Sequence, residues 1–92
     1  MRFEGNYRKI ERIVKGFSNH RRLEIMELLY KKPELSLNEI SEILKVNFKT
    51  VFEHIRKMAI AGIVLKRNEG IEVKHRLSER GEKIFLFLKD ME

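Results

Sequence analysis

Apolar residues recur along this chain with helical periodicity, switch to alternation just after residue 62, and return to a helical pattern at the C-terminal end. Ile10, Ile13, Val14 and Phe17 mark one face of a helix over residues 6–17, with Arg8, Lys9, Arg12 and Lys15 between them. Ser18 and Asn19 offer an N-cap to a second helix. In it Leu23, Met26 or Glu27, and Tyr30 fall at helical spacing, Ile25, Leu28 and Leu29 thicken the apolar side, and Pro33 is the stop. Leu35 is expected to pair briefly as a strand. Ser36 followed by Glu39 is a capping box for a third helix, whose apolar face is Ile40, Ile43 and Leu44.

Lys45 and Val46 alone turn the chain into a fourth helix, over residues 47–61. Asn47 can accept from its free first-turn amides, and Gly62 can take the left-handed conformation that ends it. Val51, Ile55 and Met58 form the core-facing stripe, and Lys49, Glu53 and Arg56 lie roughly opposite, with Lys57 beside them. Two helices joined this tightly, the second with a cationic outer face, read as a helix-turn-helix whose second member is a recognition helix. Residues 63–67 and 71–77 then alternate as two strands around Asn68-Glu69-Gly70, turn residues that suit a hairpin. Ile71, Val73, His75 and Leu77 share one face of the second strand, and Glu72, Lys74 and Arg76 the other, so the ribbon 63–77 has the form of a wing. The fold class expected is mainly α with a small β-hairpin, a winged helix-turn-helix filling residues 1–92 as one domain.

Ser78 caps a last helix over residues 79–91, and within it Ile84, Phe85, Leu86, Phe87 and Leu88 are apolar on every side. A small domain covers one side of such a helix, so a second copy of the chain is expected to cover the other. The dimer surface expected on the last helix is Ile84, Phe85, Phe87, Leu88 and Met91. On the first helix it is Ile10, Ile13, Val14 and Phe17.

Composition narrows the partners. With 42% hydrophobic and 37% charged residues, one proline and five glycines, the 92-residue chain is an ordered, heavily charged globule. Its formal net charge of +6 favours an anionic partner, nucleic acid or an acidic membrane surface. The recognition-helix and wing region is basic, but so are residues 1–33. His20, Arg21 and Arg22 stand in the first turn of the second helix, where positive charge opposes the helix dipole; they read as solvated in preference to phosphate-bound. Cysteine is absent, which removes disulfides, thiolate metal sites and cysteine nucleophiles together. No apolar run is long enough to span a bilayer and no signal-peptide pattern is present, so no membrane association and a cytoplasmic location are expected.

Several segments together resemble the ArsR family of transcription regulators. Ser18-Asn19-His20-Arg21-Arg22-Leu23-Glu24-Ile25-Met26 is similar to the opening of such a domain. The run from Val46 to Ile55, with Met58 and Ala61-Gly62-Ile63-Val64, resembles the family's recognition helix and its entry to the wing. Leu77-Ser78-Glu79-Arg80-Gly81 is similar to the segment opening its last helix. The resemblance, over residues 18–81, implies a dimeric regulator whose two recognition helices enter successive major grooves, with first and last helices at the dimer interface. Asn47, Phe48, Lys49, Thr50, Phe52, Glu53 and His54 match positions that contact DNA in the family. At Phe52 the family usually has a small polar residue. A phenylalanine there cannot donate to a base, but it can lie against a thymine methyl or pack inward.

These readings give double-stranded DNA as the expected partner. Lys49, Arg56 and Glu53 face base edges, while Asn47, Thr50, His54, Lys57 and the wing cations Lys66, Arg67, Lys74 and Arg76 hold phosphates. No cofactor or metal is expected: the site that the resemblance implies pairs Asp and His across the last helix, whereas residues 79–91 hold Asp90 but no histidine, and His20, His54 and His75 lie in three different elements. No glycine-rich phosphate loop, nucleophile elbow or paired carboxylate points to an enzyme. Two other binding functions fit the same pattern, a winged helix that docks a protein through Phe48 and Phe52, and an architectural protein that coats DNA without sequence preference.

Overall fold

The computed structural model describes residues 5–92. Element order is α1 (Tyr7–Lys15), α2 (His20–Lys31), α3 (Leu37–Leu44), α4 (Phe48–Ile60), β1 (Val64–Glu69), β2 (Glu72–Leu77) and α5 (Glu79–Asp90). Among the described residues this is the winged helix-turn-helix arrangement, five helices and one antiparallel hairpin.

Local chemistry sets most boundaries. Asn19 Oδ1 accepts from the amides of Arg21 and Arg22 to start α2. At α3 the capping box closes reciprocally: Ser36 Oγ accepts from the Glu39 amide, and the Glu39 carboxylate accepts from the Ser36 amide at 2.8 Å. The turn to α4 is made at Lys45, a left-handed residue at φ 56°, and Asn47 Oδ1 then accepts from the Lys49 amide at 2.8 Å. Gly62, at φ +76°, ends the α4 segment as expected of a glycine free to adopt that conformation.

The core is assembled around α2. Ile25, Met26 and Leu29 meet Ile40 of α3, Val51, Ile55 and Met58 of α4, Ile63 and Val64 at the wing root, and Leu77. The expected α2 stripe of Leu23, Met26 and Tyr30 is therefore rotated: Met26 is buried as expected, but Leu23 and Tyr30 are exposed, and Ile25 and Leu29 share the burial with Met26. Because α2 touches α3, α4, α5 and β2, its inward side is decided by where those elements stand and not by its own periodicity. The Tyr30 ring instead lies 4.8 Å from that of Phe85 on α5.

The wing differs from expectation at its tip. Pairing runs without interruption from Val64↔Leu77 to Glu69↔Glu72, so the turn is the two residues Gly70 and Ile71, with Gly70 at φ +63°. A two-residue hairpin with glycine leading matches the backbone twist of the ribbon. Ile71 consequently leaves the apolar face and stands fully exposed at the tip, and Val73 is also exposed; only His75 and Leu77 of that face are buried. At the root, Leu35 pairs with His75 as a single bridge on the outer edge of β2. The buried His75 ring approaches the Leu35 carbonyl at 2.8 Å through Nδ1, and since a carbonyl only accepts, Nδ1 carries the proton.

Candidate nucleic-acid interface

Helix α4 is held by its buried stripe so that the opposite side faces solvent. Asn47, Phe48, Lys49, Thr50, Phe52, Glu53, Arg56 and Lys57 are all exposed, and His54 is half-buried at one edge. Phe48 and Phe52 each remain 45% exposed, so neither packs fully inward.

The charges on this face are not equally available. Arg56 reaches back one turn to Glu53, with Nη2 3.1 Å from the carboxylate, and that guanidinium holds the Glu53 carboxyl below its ordinary pKa. The side chains of Lys49 and Lys57 make no ion pair or hydrogen bond with the described residues. His54 Nδ1 accepts from Arg22 Nε at 3.1 Å, which leaves Nε2 as the protonated nitrogen. Burial, and next the Arg22 charge, lower the His54 pKa, so near neutral pH it offers a phosphate one N–H donor and no charge. Sequence patterning did not bring Arg22 to this site, since the partners stand 32 positions apart; the one visible signal was the cationic first turn of α2.

On the wing, Arg67 pairs with Glu34 at 3.4 Å and Glu69 at 2.7 Å, and Lys74 lies 3.3 Å from both Glu39 and Glu72. Lys66 and Arg76 carry no such partner among the described residues. The Arg67–Glu69 pair is exposed and worth about 0–1 kcal/mol, so a phosphate can replace that carboxylate at little cost, whereas the Lys74 side chain is mostly covered. The outer wing is nonetheless closer to neutral than its lysines and arginines alone suggested.

The apolar residues expected at a dimer surface divide into three groups. Phe17, Ile84 and Phe85 pack against this chain's own core, whereas Val14, Phe87 and Met91 are exposed, the last two by 64% and 66%. Ile10, Ile13 and Leu88 are half-buried. Among the described residues no group of three or more His, Cys, Asp or Glu is placed to hold a metal ion, and no helix is long and apolar enough to cross a membrane.

Comparison with known proteins bears on the family and the fold. The family described as bacterial regulatory protein, arsR family, matches residues 19–66. The transcriptional repressor PagR of Bacillus anthracis is 37% identical over 67 residues, which span 72% of this chain and 66% of the repressor's own length. The crystal structure of PagR superposes with a TM-score of 0.80 at 26% identity, covering 90% of this chain and 95% of that one. HlyU from Vibrio cholerae gives 0.82 at 28% identity, covering 97% of each chain. A protein from Mycobacterium bovis, described as a homodimeric winged helix-turn-helix DNA-binding domain, gives 0.87 at 24% identity, covering 98% of this chain and 83% of that one; at that identity the likeness concerns the fold.

Proposed function

Since this chain belongs to the arsR family of bacterial regulatory proteins, we propose that it acts as a homodimer that recognises a specific sequence in double-stranded DNA and so controls transcription. The observation that carries this reading is the fourth helix: capped, anchored by Val51, Ile55 and Met58, and presenting Lys49, Thr50, Phe52, Glu53 and Arg56 to solvent. In this reading α4 lies in the major groove. Lys49 and Arg56 donate to base edges, Glu53 either accepts from a cytosine amine or frees Arg56 to bond a base, and Phe52 lies against thymine methyls. Asn47, Thr50, His54 and Lys57 flank the groove, and Lys66, Arg67, Lys74 and Arg76 place the wing on the backbone or minor groove. Counterion release supplies most of the affinity and the few outer side chains of α4 most of the discrimination.

Dimerisation is supported by the exposed apolar side chains of Val14, Phe87 and Met91 on the first and last helical segments. Twofold symmetry then implies a roughly palindromic site with half-sites about 34 Å apart. Such a regulator works in the cytoplasm, where the duplex is. The alternative of a protein-docking module draws on the exposed Phe48 and Phe52 alone and leaves the cationic face without a role.

Selection of bound sequences from random duplexes, followed by affinity measurements at fixed salt, tests the proposal. A selected duplex should bind at least about a thousandfold more tightly than random DNA. A ratio near one would reduce the chain to a non-specific DNA coat, and no retardation at low salt would leave the docking module.

A further inference from the structure

The C-terminal end of α1, the first turn of α2 and the last turns of α4 meet around a groove of about 420 Å³, of whose lining the function above uses only Lys57. Arg12, Lys15, Arg22 and Lys57 line it over a floor of Gly16, Ile60 and Ala61, and no carboxylate is among its walls. The close approach that makes the corner depends on Gly16: a Cβ there would stand 2.4 Å from that of Ala61. Arg22 is fastened in place, donating through Nη1 to the Lys15 carbonyl at 2.7 Å and through Nε to His54. Among the described residues its second terminal nitrogen has no partner. Lys15 has only the exposed Glu11, 3.3 Å away, and the Arg12 side chain makes no ion pair or hydrogen bond with the described residues. The wing offers a contrast, since Glu69 and Glu72 flank its tip and Arg67 and Lys74 are both engaged by acids.

We propose that this groove seats a phosphodiester of the DNA backbone beside the recognition helix, with Arg12, Lys15 and Arg22 joining Lys57 in its cationic lining. The inference rests on the DNA-binding reading above and extends its footprint from α4 to the α1–α2 corner. Two features favour a backbone phosphate. Lys57 lines the groove and also stands on the exposed outer side of α4. Arg22 is pre-oriented by bonds to the protein, so its guanidinium loses little freedom on meeting an oxyanion. A free phosphorylated small molecule shares this chemistry, and the experiment separates the two sources.

The test is the salt dependence of duplex binding by the full chain with Arg12→Gln and Lys15→Gln combined. Both side chains lie on the exposed side of α1, and the Lys15 carbonyl that holds Arg22 is retained. Every phosphate that the protein no longer neutralises reduces the slope of log affinity against log salt by about 0.9, so the double variant should show a slope shallower by about one on selected and random duplexes alike. Arg12→Lys with Lys15→Arg, which keeps the charge, should retain the wild-type slope, and Lys31→Gln at the far end of α2 should leave it unchanged. An unaltered slope in the neutral pair overturns the proposal, as does an equal loss in the charge-conserving pair. If the neutral pair binds DNA normally while inorganic phosphate shifts the wild-type amide resonances of Arg12, Lys15 and Arg22, the groove takes a free anion and the duplex assignment is overturned. Failure of the wild-type chain to bind any duplex at low salt would instead sink the DNA-binding reading itself.

Discussion

Ser78 ties together the end of α4, the start of the wing and the first turn of α5, and its removal has a cost that can be worked out from its hydrogen bonds. Its Oγ accepts from the Gly81 amide at 3.0 Å, the N-cap bond of α5, and donates toward the Gly62 carbonyl at 2.6 Å. Its own amide donates to Ile63 O at 2.9 Å, a bond that any residue except proline retains. Ser78→Ala therefore loses the cap, about 1 kcal/mol, and strips the donor from a partly buried carbonyl, a further 1–3 kcal/mol or so. Ser36 is the internal comparison. It is equally buried, but its hydroxyl serves only as the α3 cap, so Ser36→Ala should cost about 1 kcal/mol. At roughly 4–8 °C per kcal/mol for a domain of this size, thermal unfolding of Ser78→Ala should fall at least about 5 °C further than that of Ser36→Ala. The two variants and wild type should be compared at one protein concentration, because dimerisation would make the midpoint concentration-dependent. Equal losses, or a smaller loss at Ser78, would refute the idea that this hydroxyl braces the recognition helix and wing against α5.

Other outcomes follow from the same geometry. Phe87→Glu places a charge in the exposed apolar surface of α5; sedimentation equilibrium should show dimer affinity weakened by roughly five- to thirtyfold, since burying most of a phenylalanine is worth about 1–2 kcal/mol. Unchanged association would remove α5 from the interface. Burial lowers the pKa of both His75 and His54 below the ordinary 6.5, so the unfolded chain binds more protons in the interval beneath that value. Their contribution to stability is full above 6.5 and is lost as pH falls from there through the folded-state values. Urea midpoints should drop across that interval and less so in His75→Gln; identical pH profiles would contradict the assignment. Gly81→Ala would put a Cβ 2.3 Å from the Ile63 carbonyl oxygen, a backbone atom that cannot easily yield, and should lower the urea midpoint more than Ser36→Ala does.

What could be read from the chain alone divides by the range of the interaction. The Ser36–Glu39 box, the Asn47 and Ser78 caps and the Gly62 terminator are settled within a few residues, and each stands in the structure as the sequence suggests. The buried side of α2 was not legible, because that helix is enclosed by four other elements and its apolar residues spread too far round for periodicity to choose a face. The wing tip depends on strand register, which moved the turn to Gly70-Ile71 and left Ile71 in solvent. Within the candidate site, exposure of the α4 outer face followed directly from its heptad-like stripe. The partners of its charges did not: Arg22 reaches His54, and Glu34 and Glu39 reach Arg67 and Lys74, across separations of more than thirty residues.

In the proposed function two copies of α4 read one duplex from opposite sides of a dyad. Hydroxyl-radical footprinting on a selected duplex tests it most directly. Two protected patches about 34 Å apart, symmetric about a centre and both erased by Lys49→Ala, are the predicted result. A single patch, or a pair that persists undiminished without Lys49, would contradict it.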